Sequence, residues 1–417
     1  MFVAKAKSSN EVMIFVSTVD TAFMTFNQVR IPQFFHITDH FTVMDTAQKT
    51  VFLYVSDDQV SNPVGNLFVS VNEGTKYSHS LENIVKGNGA VDFEAIESLD
   101  GTFLANRFDK KHGLGDHSMS GAIREITEED ILAEEYFRDQ RSHMRTDISS
   151  KQMGTHARRK ERKGSLEDYE AFNEKIKTYI THNMGATWNL IRAPKEDMRG
   201  KPTGCYLEDG CSLHLNMYYE NHQIIAPPYA QKTALGLVMA VGNLGQKLEL
   251  ERGARKSTWI SRDGGVDWTE VAKVPLIYEF GDHGGLIVAS PNVHSTTTIR
   301  YSWNEGKTWT NLKVSDVPIY VENIIIEPKS TSQQFVIYGT YDNSTEESAG
   351  YYGRQYGEDV MVTINFENLH EPQCKGYDSP GKPKSDFEIW SPHDDDRHGT
   401  ENKCFLGQKV SYVRRKQ

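Results

Sequence analysis

Short runs of β-branched and aromatic residues, each cut off by a polar turn, set the rhythm of this chain. Thr50-Val51-Phe52-Leu53-Tyr54-Val55-Ser56, Asn66-Leu67-Phe68-Val69, Gly101-Thr102-Phe103-Leu104-Ala105-Asn106 and Ala234–Gly242 predict strands. Five strand-like runs (Met13–Val16, Asn66–Val69, Lys177–Ile180, Ser257–Ile260 and Thr297–Tyr301) are each followed by a similar octet. It opens on Ser or Thr, carries a short acid or amide two residues on, a glycine two further, and an aromatic three beyond. Ser302-Trp303-Asn304-Glu305-Gly306-Lys307-Thr308-Trp309 and Ser261-Arg262-Asp263-Gly264-Gly265-Val266-Asp267-Trp268 are clear copies. Thr181-His182-Asn183-Met184-Gly185-Ala186-Thr187-Trp188 is a third, and Ser70-Val71-Asn72-Glu73-Gly74-Thr75-Lys76-Tyr77 a fourth with Tyr for Trp. Ser17-Thr18-Val19-Asp20-Thr21 is a worn copy without the glycine.

Each octet, an Asp box, predicts a hairpin tip. The acid or amide accepts hydrogen bonds from turn amides. The glycine adopts a positive φ that a Cβ resists, and the aromatic plugs the hairpin onto the core. The copies recur at roughly 40–50 residues or about double that, the period of propeller blades. The expected fold is therefore all-β, a partial propeller of about five blades.

Between about 109 and 174 the texture changes to a highly charged stretch with few β-branched residues. Thr127-Glu128-Glu129-Asp130 predicts a capped helix through Arg138, and Leu166 to Ile176 reads as a second helix. Arg158-Arg159-Lys160-Glu161-Arg162-Lys163 lies between them and reads as a solvated loop before a protease-processing site or an anion contact. The stretch reads as a charged, partly helical or disordered insertion hanging from a blade edge.

Composition narrows the function. The formal charge of −11 argues against a nucleic-acid surface. No apolar run is long enough to span a bilayer, and Phe2-Val3-Ala4-Lys5-Ala6-Lys7 has no signal-peptide pattern. Met1 falls inside a blade, so the sequence reads as a fragment or a truncated gene model. Among the four cysteines, Cys205 and Cys211 are close enough for a small loop disulfide in an oxidising compartment. A metal pair is the rival, without a His or Cys cluster at ligand spacing. Asn343-Ser344-Thr345 is a glycosylation sequon in a polar loop and leans towards the secretory pathway. Gly281-Asp282-His283-Gly284-Gly285 invites a catalytic reading. With no accompanying nucleophile, it reads instead as a tight turn whose Asp and His tie down backbone amides. His393-Asp394-Asp395-Asp396-Arg397-His398 reads as a solvated loop rather than a metal site. No catalytic residue, metal or cofactor is expected.

Five motifs then occur in order: Cys211-Ser212-Leu213-His214-Leu215, Gly281-Asp282-His283-Gly284-Gly285, Tyr301 with the Ser302–Trp309 octet, Ile389-Trp390-Ser391-Pro392, and Cys404-Phe405-Leu406-Gly407-Gln408-Lys409. The series resembles the sortilin family of sorting receptors, over nearly the whole chain outside the insertion. The resemblance implies the second half of a ten-bladed β-propeller over residues 1–371. The start of a cysteine-rich module, truncated, follows over 372–417. It implies that Cys205 and Cys211 are bonded, and that Cys374 and Cys404 pair with partners beyond Gln417. It implies a non-enzymatic receptor that binds peptide or protein cargo in the lumen between Golgi and endosome or vacuole, anchored by a span absent from this chain. In animal relatives an arginine on the sixth blade holds a peptide's terminal carboxylate, as its planar fork suits. Val12 stands at that position here, with Lys5 and Lys7 nearby as weaker substitutes, so the ligand-binding residues stay unassigned.

Two alternatives remain. A partial-propeller scaffold could self-associate through its open blade edges. A propeller glycosidase shares the octet, but needs two carboxylates across a cleft, or clustered arginines with a Tyr nucleophile. The octets themselves vote for structure. Trp309→Ala is expected to destabilise the protein by about 3–5 kcal/mol and Asp263→Ala by about 1–2 kcal/mol. Urea melts in which both variants match the parent would show that the octets are not hairpin plugs.

Overall fold

The computed structural model describes residues 2–7, 11–17, 25–33, 35–37, 41–44, 50–56, 64–70, 74–87, 90–109, 176–217, 226–250, 254–291, 294–343, 356–367, 375–391 and 410–416. The remaining residues include the charged stretch beyond Asp109, Asn72, Cys374, Cys404 and the run from His393 to His398, so the readings made there lie outside the described residues.

The architecture is all-β, a series of antiparallel meanders in chain order. The first comprises β1 (Phe2–Ala6), β2 (Val12–Val16) and β3 (Asn27–Gln28). The second comprises β4 (Phe41–Val43), β5 (Val51–Ser56), β6 (Val64–Ser70) and β7 (Ser78–Gly87), with β8 (Ala90–Val91) folded back on β7. The third comprises β9 (Phe93–Ala95), β10 (Phe103–Phe108), β11 (Ile176–Thr181) and β12 (Asn189–Leu190). A single register pair, Arg107 with Ile84, joins it to β7. In the fourth, β13 (Ser212–Leu215) and β14 (Tyr229–Ala230) share one edge of β15 (Val238–Gly245), followed by β16 (Ser257–Ser261) and β17 (Thr269–Ala272). The fifth comprises β18 (Leu276–Gly281), β19 (Leu286–Pro291), β20 (Thr298–Ser302) and β21 (Thr310–Lys313). The sixth has three strands among the described residues: β22 (Ile319–Ile325), β23 (Gln334–Asp342) and β24 (Tyr356–Asn365). A C-terminal hairpin pairs β25 (Phe387–Trp390) with β26 (Tyr412–Arg415).

Side-chain alternation explains how the meanders stack. Successive residues of a strand point to opposite faces, and the middle strands are apolar on both. Val51, Leu53 and Val55 of β5 pack with Ile14 and Val16 of the first meander, while Phe52 and Tyr54 pack with Phe93 and Phe103 of the third. In the same way Val238 and Ala240 of β15 meet Leu104 and Ile180, whereas Met239 and Val241 meet Tyr278, Phe280 and Ile287. Leu286 and Val288 of β19 then meet Ile319 and Phe335. Thus a core lies between each neighbouring pair of meanders. The segment 109–175 leaves and re-enters at facing positions, since Phe108 pairs with Ile176.

One seam is polar. Asp92, Asn106, Thr178 and His214 are all fully buried between the third and fourth meanders. Asn106 Nδ2 donates to Asp92 Oδ2 (2.8 Å) and to the Leu215 carbonyl (3.1 Å). Thr178 Oγ1 donates to Asn106 Oδ1 (2.6 Å) and accepts from the Leu215 N–H (2.8 Å). His214 Nδ1 accepts from the Thr178 N–H (3.2 Å), which leaves Nε2 to donate to the Gly245 carbonyl (3.1 Å). The Ser212-Leu213-His214 motif is thus a cross-sheet tie that needs a neutral ring.

Burial holds the His214 pKa down to about 4, against the Gly245 bond that favours the charged form. As pH falls from about 6.5 towards 4, the unfolded chain takes up a proton that the folded chain refuses, costing up to about 3 kcal/mol of stability. Unfolding free energies of the parent and His214→Gln are expected to converge as pH drops from 7.5 to 4.5. Parallel curves would exclude His214 as the source.

Candidate functional site

The four octets close the third and fourth strands of four successive meanders, from the second to the fifth. Each opens on the last residue of its third strand: Ser70 on β6, Thr181 on β11, Ser261 on β16 and Ser302 on β20. That hydroxyl accepts the N–H of the glycine four residues on, at 3.1 Å for Gly74 and Gly185, 2.8 Å for Gly265 and 2.9 Å for Gly306. In the last three copies it also donates to the acid or amide, at 2.9 Å to Asn183, 2.8 Å to Asp263 and 3.0 Å to Asn304. Asp263 Oδ1 accepts from Val266 N (3.1 Å) and Asp267 N (3.0 Å), while Asn183 and Asn304 accept from Thr187 N (2.9 Å) and Thr308 N (2.8 Å). Burial pushes the Asp263 carboxyl above the ordinary carboxylate range, opposed by these bonds. A neutral Asn avoids that conflict.

The aromatics lie beneath the turns. Trp268 and Trp309 donate Nε1–H to their own glycine's carbonyl, at 2.9 Å to Gly265 and 3.1 Å to Gly306. Trp188 departs from this: its Nε1–H goes to Ser80 Oγ (3.0 Å), and Ser80 donates to the Gly185 carbonyl (2.7 Å). Ser80 belongs to β7, so this octet is tied to the preceding meander. Tyr77 is buried at the first seam.

A regularity invisible in the sequence emerges at the glycines. All four have positive φ, from 77° to 94°. A Cβ on each would also strike the preceding meander: Phe2 Cζ at 2.9 Å from Gly74, Phe52 Cε1 at 2.9 Å from Gly185, Ile180 Cδ1 at 2.5 Å from Gly265, and Ile260 Cδ1 at 3.0 Å from Gly306. The second octet residue reaches the next meander. His182 Nε2 lies 3.1 Å from the Gly264 carbonyl, and Arg262 Nε donates to the Glu305 carbonyl at 2.8 Å.

The Gly281–Gly285 motif is the β18–β19 turn, and its role differs from the one expected. Its amides are held by carbonyls: Asp282 N by Ser332 O (3.0 Å), His283 N by Ser330 O (3.2 Å) and Gly285 N by Asp282 O (3.0 Å). The side chains are thereby freed to face the C-terminal hairpin. Asp282 Oδ2 lies 3.6 Å from Arg415 Nη1, and the His283 ring stands edge-on to Phe387 at 6.4 Å. A Cβ on Gly285 would lie 1.4 Å from Arg415 Nη1, so the Arg415 side chain packs directly onto this turn. Burial pushes the Asp282 carboxyl up, and Arg415 pulls it back. A cavity of about 300 Å³ lies beside this contact, lined among others by Lys232, Arg262, His283, Glu305, Tyr412 and Arg415. The Val413-Arg414-Arg415-Lys416 ending carries no sequence signal that ties it to Asp282.

Other candidate positions resolve individually. Cys205 and Cys211 form a disulfide, Cα–Cα 5.1 Å, around a short 3₁₀ turn over Leu207–Asp209. Asn343 is exposed just past β23. Val12 opens β2 and donates its N–H to the Ile37 carbonyl. Lys7 pairs with Glu11 at 2.8 Å, and Lys5 is exposed on β1. Among the described residues no cluster of three or more ligating side chains is present, and no helix is long and apolar enough to cross a membrane.

Two family models cover most of the chain. One described as "Sortilin, neurotensin receptor 3" matches residues 1–129 and 158–324, and one described as "Sortilin, neurotensin receptor 3, C-terminal" matches 326–417. Vacuolar protein sorting/targeting protein 10 of Debaryomyces hansenii is 29% identical over 397 residues, 94% of this chain and 20% of that protein. A protein of Saccharomyces cerevisiae described as an uncharacterized membrane glycoprotein is 30% identical over 380 residues, 90% of this chain and 27% of its own length. Vacuolar protein sorting/targeting protein PEP1 of S. cerevisiae is 30% identical over 380 residues, 90% and 19%. The chain therefore spans about a fifth to a quarter of these relatives. Among solved structures, an ancestral GH74 enzyme aligns with 88% of this chain and 36% of its own, at TM-score 0.33 and 10% identity. NanB sialidase from Streptococcus pneumoniae aligns with 73% and 56%, at 0.27 and 10%. Likeness this slight carries no argument.

The glycine geometry gives a direct test. Gly265→Ala combines a positive-φ penalty of about 1–2 kcal/mol with overpacking of about 1–3 kcal/mol against Ile180. Gly210→Ala, also at positive φ but with nothing within 4 Å, should incur the first cost alone. Equal losses in urea melts would remove the seam role.

Proposed function

This chain belongs to the Sortilin–Vps10 family, and from that we propose that it forms part of the lumenal, cargo-binding region of a sorting receptor. The carrying observation is that the two family models, end to end, account for nearly all of the chain. The serial stack of meanders tied by octets supports reading it as a partial β-propeller. Six meanders then stand for blades, where about five were expected from sequence. Residues 1–371 are read as propeller and 372–417 as the start of the cysteine-rich module. The charged stretch near 109–174 is read as an insertion, supported by the unmatched residues 130–157 and by the adjacent strand ends at Phe108 and Ile176.

The role is non-enzymatic. Three carboxylates near the turns each serve a structural contact: half-buried Asp263 its own turn, half-buried Glu279 the Tyr229 hydroxyl (2.5 Å), and buried Asp282 the Arg415 side chain. Cargo is peptide or protein met in the lumen between Golgi and endosome or vacuole, and Asn343 is the proposed glycan acceptor. Self-association has one favourable feature: β24 is an edge strand among the described residues, with Met361 67% exposed.

Removing the gene is expected to send soluble vacuolar proteins into the culture medium, and restoring it to retain them again. Unchanged retention would contradict the receptor reading. Turnover of model glycosides at pH 5 by the purified chain would contradict the non-enzymatic part.

A further inference from the structure

The sixth meander ends on a strand with a free edge, and the glycosylation sequon stands beside it. β24 pairs with β23 on one side and has no strand on the other among the described residues. A free edge is a template for pairing with another chain, and proteins blunt it with charge, a bulge or a cover. Glu358 and Asp359, with a register irregularity between Thr340 and Asp342 of β23, blunt the first part of β24. The second part lacks such devices. Val360-Met361-Val362-Thr363-Ile364 has no charge, proline or glycine and is rich in strand formers. Val360, Val362 and Ile364 pack inward on the core shared with the fifth meander. Met361 lies on the other face, 67% exposed, opposite Tyr338 in register. Ile325 shares that face through its partner Val336 and is 44% exposed.

Asn343 directly follows β23, yet its side chain reaches over the neighbouring strand. A Cβ on Gly357 would lie 2.9 Å from Cγ, Oδ1 and Nδ2 of Asn343. The amide thus lies across the start of β24, in space that a side chain at position 357 would claim. Met361 is four residues further on, about 13 Å away at the rise of an extended chain. An N-linked glycan is bulky, branched and hydrophilic, and one rooted over Gly357 has the reach to hang along this edge. We propose that an N-linked glycan on Asn343 covers the free edge of β24 and keeps the chain from pairing with a second copy through that strand. The inference rests on Asn343 as the glycan acceptor. It gives the glycan and the self-association of the bare chain one common site.

Secretion of the 417-residue chain from a yeast host, followed by sedimentation velocity over a range of concentrations, tests it. Intact mass before and after endoglycosidase treatment gives the occupancy of Asn343. The glycosylated chain is expected to stay monomeric. Thr345→Ala removes the acceptor sequence and leaves Asn343 in place; this chain should self-associate at least about tenfold more tightly. In the same background Met361→Lys puts a charge at an exposed position on the edge strand. It should restore the monomer without moving the melting temperature. An unmodified Asn343 would overturn the acceptor reading and this inference with it. A modified Asn343 with equal association in both forms would overturn the inference alone, as would association of the Thr345→Ala chain that Met361→Lys leaves untouched.

Discussion

The close approach between each octet glycine and the meander before it is the contact on which the stack depends. A turn needing positive φ already favours glycine. Here the same atom position is where Phe2, Phe52, Ile180 or Ile260 of the preceding meander arrives. One missing Cβ therefore satisfies two constraints, one within the hairpin and one between hairpins. The hydroxyl and the acid or amide hold the turn in shape so that this approach repeats. His182 and Arg262 then extend the link forward to the next octet. Apolar cores between meanders supply most of the burial, but they are not directional; the octets set the spacing.

Much of this was legible because it is local. Strand runs, octets and the Cys205–Cys211 pair are encoded within a few residues, and propensity, turn chemistry and spacing act at that range. What was not legible joins residues far apart. Gly285 and Arg415 meet across more than a hundred positions, and neither flanking sequence names the other. In sequence the Asp282–His283 pair reads as serving its own turn. Backbone carbonyls of Ser330 and Ser332 had already taken that task, which no local pattern reveals. His214 is similar: its motif is visible, but its acceptor role depends on the Thr178 N–H of another sheet. The Ser80 relay to Trp188 likewise requires knowing which strand lies alongside.

The C-terminal hairpin converts the fifth meander's turn into a docking point. Arg415 reaches Asp282, Lys416 Nζ donates to the Ser385 carbonyl at 2.6 Å, and Arg414 stacks over Trp390 at 4.5 Å. Three successive basic residues thus do different things: one faces the meander stack, and two brace the hairpin itself. This division explains why a basic tail that would look like solvated charge in sequence is largely committed in the fold.

The backward direction of the glycine contacts bears on how the chain is made. When an octet leaves the ribosome or enters a compartment, the surface it must meet has already been synthesised, so assembly can proceed vectorially from the N-terminus. The third meander interrupts that progress. Between β10 and β11 the chain must deliver residues 109–175 before Ile176 can pair with Phe108. At about 5–20 residues per second that delay lasts several seconds. Throughout it β10 has no β11 to pair with, and the polar seam that awaits Thr178 and His214 cannot close. A chaperone that shields unpaired strands would find its longest opportunity there.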